Sequence, residues 1–178
     1  MNLVDVPNRE QVSPANQALF DSLQKALGMV PNLYATLALS EHALGSYLAL
    51  QNARSSITGK AREVVNLVVS QVNRCAYCLA AHTVIGGMLG LRPEQMLEIR
   101  RGRASFDPRL DSLARLVHDI TTQRGHGDPA LVQAFFAAGW TPENLVDAIV
   151  VIGDKTVTNY LHATTQVPVD FPAAPELE

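Results

Sequence analysis

Apolar positions recur along this chain at helical spacing, and strand-like alternation is scarce. Ala15, Leu19, Phe20, Leu23 and Leu27 share one face and predict a helix over 14–27, which Gly28 stops and Pro31-Asn32 redirects. Ala43, Leu44, Tyr47, Leu48 and Leu50 predict a second helix over 41–54, and Thr58 offers a cap for a third over 59–73. A helix over 75–89 follows, loosened and ended by Gly86, Gly87 and Gly90. Leu110, Leu113, Val117 and Ile120 predict a helix over 108–123, closed by Gly125-His126-Gly127, and Leu131, Phe135 and Phe136 a shorter one ending at Gly139. The last, 142–165, is apolar on most sides and is expected to be central. From Gln166 onward, Pro168, Pro172 and Pro175 predict an extended or disordered tail.

The starts are as legible as the faces. Ser13-Pro14, Asp107-Pro108, Asp128-Pro129 and Thr141-Pro142 each pair a capping oxygen with a proline at the first helical position. There the missing N–H is no loss and the fixed φ suits the helix. Arg92-Pro93 marks a further short helix. The expectation is an all-α protein with one domain over 1–178, of which 166–178 is the tail.

Composition narrows the class. A chain of 178 residues, 47% of them apolar, can build a core without staples, and one of this size buries roughly 70% of its unfolded surface. The 14 basic and 17 acidic residues give a net charge of −3 with no basic run, which argues against a nucleic-acid or anionic-membrane partner. Met1 to Asn8 lacks the basic and apolar regions of a signal peptide, and Leu145 to Ile152, the most apolar segment, is too short to span a bilayer and contains Asp147. A cytoplasmic protein is expected, and in a reducing compartment two closely spaced cysteines point to redox chemistry or a metal more than to a staple.

Both cysteines fall in one stretch, as Cys75-Ala76-Tyr77-Cys78, with His82 one helical turn beyond. On a helix, Cys75, Cys78 and His82 lie within roughly 60° of one another, and Tyr77 points away. The preceding helix carries a thin polar stripe, Glu63, Asn66 and Ser70, between valines and leucines. Along one straight helix Glu63 and Cys75 would be ~18 Å apart. A tight reversal at Asn73-Arg74 would instead lay the two helices antiparallel, with Glu63 ~16 Å from the bend on one and His82 ~13 Å on the other. The carboxylate and imidazole then reach a common depth, with Cys78 a turn nearer the bend and Cys75 at the mouth. That spacing permits a proton relay from Glu63 through His82 or water to a thiol.

Reduction of a peroxide needs a thiolate to attack the O–O bond and a second thiol to condense with the resulting sulfenic acid. A C-x-x-C supplies both sulfurs within one turn. The helix dipole favours Cys75 as the thiolate, whereas His82 favours Cys78. Other readings compete: inert buried thiols, a solvated first-turn carboxylate for Glu63, an ordinary packed histidine for His82, or half a zinc site. Four-ligand zinc would need one more His or Cys beside Cys75, Cys78 and His82, and only histidines distant in sequence remain. His42, His118 and His126 are expected at the surface, His162 in packing or, no more readily, in catalysis, and Trp140 with Phe135-Phe136 in the core or an interface. Nothing in the sequence requires a flavin, haem or metal.

Glu63, eleven residues, Cys75-Ala76-Tyr77-Cys78, three residues, His82 resembles the active-site signature of the AhpD-like alkylhydroperoxidases of the carboxymuconolactone decarboxylase superfamily. Gly28-Met29-Val30-Pro31-Asn32 is similar to the N-terminal motif of these proteins. Asn159-Tyr160-Leu161-His162 and Val169-Asp170-Phe171-Pro172 are similar to their C-terminal end. The resemblance implies an all-helical fold, assembly as trimers or hexamers, and reduction of hydroperoxides by a cysteine pair. It implies Cys78 as the peroxidatic thiol, Cys75 as the resolving thiol more accessible to the reductant, and Glu63 and His82 as the proton relay. An external dithiol, a lipoyl or thioredoxin-like protein, would regenerate the pair. One branch of the family carries a histidine immediately before the second cysteine; here Tyr77 stands there, which bears on the detailed relay and on a lipoyl reductant. A disulfide oxidoreductase, a redox-responsive binding protein and a decarboxylase-like enzyme are the alternatives on the same scaffold. The last is disfavoured because superfamily members of that kind lack the cysteine pair.

Overall fold

The structure, a computed structural model, describes residues 3–177, and among these it contains helices and no strand. After a 3-10 turn at Arg9–Gln11, the helices are α1 (Pro14–Leu27), α2 (Asn32–Leu37), α3 (Ala43–Gln51), α4 (Gly59–Val72) and α5 (Ala76–Met88). They continue as α6 (Pro93–Arg100), α7 (Pro108–Thr122), α8 (Pro129–Ala137) and α9 (Pro142–Thr165). The oxygens of Ser13, Asp107, Asp128 and Thr141 each accept a first-turn N–H ahead of a proline. Thr58 sits at the start of α4, but its hydroxyl makes no capping bond.

The centre of the molecule is α4, not the last helix. Every residue from Glu63 to Ser70 is buried, with α5, α6, α7 and α9 packed around it. Its valines and Leu67 join Leu113, Leu116, Val117 and Phe135 in the principal core. Phe135 stacks on Trp140, with ring centroids 5.4 Å apart, so both belong to that core. The expectation that α9 is central is corrected. Its inner face carries Val151, Lys155, Thr158, Asn159 and His162, while Val146, Ile149, Val150, Val157 and Tyr160 are exposed on the other. An apolar circumference therefore reflected one buried face and one apolar outer face.

Two elements escape the periodicity. α2 is too short to show a period, and its first N–H, on Asn32, donates to the Asp170 carboxylate at 2.7 Å, from 138 residues away in sequence. The Asn32 side chain donates to the carbonyl of Pro168. The tail is accordingly extended and held: Val167 is buried, and the Pro175 carbonyl accepts from Arg100. The motifs at residues 28–32 and 169–172 thus meet across the fold.

Between α4 and α5 the chain reverses within three residues. Arg74 takes a left-handed φ of 53°, and the Cys75 N–H donates to the Ser70 carbonyl at 2.9 Å. Farther along α5, Gly86 lets α6 approach closely: a Cβ there would stand 2.8 Å from Met96 Sδ.

Candidate active site

The reversal delivers both cysteines to the start of α5. Cys75 is the N-cap, its sulfur accepting the Cys78 N–H at 3.2 Å, and the two free thiols lie with their sulfurs 2.7 Å apart. A disulfide needs about 2.05 Å, so the two sulfurs are within reach of one another. The two thiols are driven apart in acidity. Hydrogen bonding to Cys78, burial and the charge on Cys78 push Cys75 up. Donation from Cys75 brings Cys78 down to about 7 against its burial, with help from the positive charge of Lys155 and from Asn159 and Thr158. Of the two thiols, Cys78 is the one held closer to ionisation near neutrality.

Accessibility runs opposite to expectation. Cys75 is fully buried, not at the mouth, packed among Leu33 of α2, Tyr77, and Val167 and Phe171 of the tail. Cys78 is the sulfur that lines a cavity. The helical wheel could not show this because α2 and the tail come from distant parts of the chain.

Glu63 and His82 meet across the two antiparallel helices. His82 Nδ1 lies 2.8 Å from Glu63 Oε2, and Asn66 Nδ2 donates to Oε1 at 2.8 Å. Burial pushes the Glu63 carboxyl up, but the charge and hydrogen bond of His82, the Asn66 amide and Lys155 together hold it below its ordinary value. Burial, and then Lys155, push the His82 imidazole down against the pull of Glu63. The ring nitrogen Nδ1 faces a carboxylate that can only accept. An Nδ1–H donates to it, which leaves Nε2 unengaged by Glu63. Ser70, the third residue of the polar stripe, accepts from Asn159 of α9 at 3.3 Å and does not join this pair.

The cavity beside Cys78 and His82 measures about 290 Å³, and its lining is largely apolar, with Leu33, Tyr34, Tyr47, Tyr77, Ile85 and Phe171 among the walls. Tyr77, expected to point away, is buried and forms part of the wall. Its hydroxyl accepts the Leu33 N–H at 3.2 Å, and its ring packs against His162 and Phe171. His162 is buried here, whereas His42, His118 and His126 are exposed. Sequence reasoning missed Lys155, which is 3% exposed and lines the same cavity. The available signal was a lone cation sharing a helix face with Val151, Thr158, Asn159 and His162. Among the described residues no three His, Cys, Asp or Glu side chains are grouped to hold a metal ion. No helix among them is long and apolar enough to cross a membrane.

Solved structures share this architecture. An uncharacterized peroxidase-related protein from Silicibacter sp. TM1040 superposes with a TM-score of 0.79 at 24% identity, over 99% of this chain and 93% of that one. A second, from Ralstonia eutropha JMP134, described as an alkylhydroperoxidase AhpD core, gives 0.85 at 19% identity over 95% and 92%. The debrominase Bmp8 in complex with 2,3,4-tribromopyrrole gives 0.77 at 12% identity over 96% and 92%. A search of curated proteins found no match. Residues 40–138, more than half of the chain and including the whole Glu63-to-His82 stretch, match the model of one family, and the chain therefore belongs to the carboxymuconolactone decarboxylase family, on an AhpD-like core.

Proposed function

We propose that the protein is a thiol-dependent hydroperoxide reductase. The observation that carries this reading is the convergence of a thiol tuned to about 7, a second thiol 2.7 Å away and a buried carboxylate–imidazole pair beside one apolar cavity. The Cys78 thiolate attacks the outer oxygen of the hydroperoxide, and the O–O bond breaks. The departing oxygen takes a proton and leaves as an alcohol. His82 Nε2, oriented through Nδ1 by Glu63, receives the thiol proton and returns it to that oxygen. Cys78 is left as a sulfenic acid. Cys75 then attacks its sulfur, water departs, and the disulfide forms, the thiol pair having lost two electrons to the peroxide. An external dithiol restores the pair by two exchange steps, beginning at whichever sulfur it reaches. Cys78, which lines the cavity, is the sulfur it reaches first. A lipoyl or thioredoxin-like protein supplies that dithiol.

The test is one equivalent of an alkyl hydroperoxide on the reduced protein, followed by alkylation and mass spectrometry. An intramolecular Cys75–Cys78 disulfide is expected, and Cys75→Ser should stop at a trappable sulfenic acid on Cys78. Equal peroxide turnover by Cys78→Ser, or no disulfide in the native protein, would end this reading.

A further inference from the structure

Lys155 enters the peroxide chemistry only through its charge, which lowers Cys78 and Glu63; no transferred group rests on it. It is 3% exposed, and among the described residues it has neither a hydrogen bond from its side chain nor a carboxylate within ion-pairing distance. The neighbouring acids are already engaged: Glu63 with His82 and Asn66, and Asp154 with Arg62 at 3.3 Å. A buried ammonium without a counter-ion is held at a free-energy cost that a paired one avoids. Lys155 also lines the cavity that Cys78 lines, where the other walls are mostly apolar or aromatic, with Gln51, His82 and Thr158 as the further polar side chains. On the protein, the one anion this cavity can offer is the Cys78 thiolate, and no hydrogen bond joins it to Lys155.

We propose that Lys155 is an anion subsite, and that the cavity takes compact organic monoanions, an apolar body against Leu33, Ile85 and Phe171 with a carboxylate or similar group on the ammonium. Size and lining agree with this: about 290 Å³ is at the small end of ligand cavities, and one convergent charge among apolar walls fixes orientation. An anion that reaches Lys155 gains a direct contact that no carboxylate among the described residues makes with it, in surroundings where water screens it little. The inference rests on Cys78 being the reactive thiol and adds a ligand class to that reading. It does not require peroxide to be the oxidant.

The experiment compares two reagents of nearly one shape, iodoacetate and iodoacetamide, on the reduced full-length protein at a pH above 7, with the rate of Cys78 modification followed by mass spectrometry. In Lys155→Met the iodoacetate-to-iodoacetamide rate ratio is expected to fall about tenfold, the scale of one charged hydrogen bond, while Lys155→Arg keeps most of it. A measurement on the native protein needs no variant: benzoate should protect Cys78 from iodoacetamide at about tenfold lower concentration than benzamide does. If both reagents slow equally in Lys155→Met, Lys155 serves the thiolate alone and the subsite is overturned. Equal protection by benzoate and benzamide overturns it as well. A protein that turns over no peroxide but shows the altered ratio would sink the peroxidase reading and leave the subsite standing.

Discussion

At the scale of single residues, the site is a problem in where charges rest. Cys78 lowered to about 7 predicts that its alkylation rate rises with a midpoint near that value, well below the ordinary thiol at 9.0. The dependence of that midpoint on Glu63→Gln and His82→Ala, read by alkylation across pH, tests whether the four residues act as one unit; an unmoved midpoint in both would separate them. His82→Ala also strips Glu63 of its main partner in a buried place. Losses from breaking such pairs run about 3–5 kcal/mol, measurable by urea unfolding. The pH dependence has a definite sign. The His82 pKa is lower in the folded state, so the unfolded chain takes up the proton first. Stability from this group is complete above its ordinary 6.5 and is lost as pH falls through the lower folded value. Glu63, also depressed, adds a second loss beginning below 4.5. His82→Ala should reduce the first step, leaving the part owed to His162, which burial also lowers, and a wild-type stability that stays flat from pH 7 down to 5 would contradict the account. Much of this was legible in sequence: the Glu63, Cys78 and His82 spacing, with one reversal, was enough to place the acid and the ring at equal depth. The fate of Cys75 was not, because its burial is decided by residues 33, 167 and 171.

At the scale of elements, α4 and α5 form the hairpin that holds the chemistry, and α2 and the tail form its cover. The helices with capping oxygens and prolines were legible because their first turns are stabilised locally. α2 was not, since a six-residue helix is too short to be stable by itself and owes its first hydrogen bond to Asp170. The cover makes its own prediction. Phe171 packs edge-on against Tyr77 over the thiols, with ring centroids 5.6 Å apart. Truncation in Phe171→Ala should speed the reaction of Cys75 with a bulky aromatic disulfide reagent by about tenfold while reducing stability by a few kcal/mol, in the lower part of the 3–5 kcal/mol range for buried Phe→Ala. Unchanged Cys75 kinetics in the folded variant would mean that access runs elsewhere.

At the scale of the whole molecule, α9 faces two ways. Its inner face supplies Lys155, Thr158 and Asn159 to the surroundings of Cys78, and its outer face leaves Val146, Val150, Val157 and Tyr160 in solvent with Gly153 between them. These positions are spaced four, three, four and three residues apart, the rhythm of a seam between helices, and Gly153 has open space where a Cβ would be. We propose that this seam carries the self-association the family resemblance implies, with a second copy of α9 as the occupant. The combined Val150→Glu and Val157→Glu variant should then run at monomer mass in light scattering with its helical signal intact. A wild-type protein that is itself monomeric would remove the proposal.

The linear chain by itself determined the helical class, most of the helix starts, and the meeting of Glu63 with His82, because capping, periodicity and short connections act over a few residues. Only the tertiary structure decided that α4 is the centre, that Cys75 is covered while Cys78 faces the cavity, and that Lys155 joins them. Each of those depends on which distant segment takes up a face, and a helix carries the same pattern whether its apolar side meets a core, a tail or another molecule.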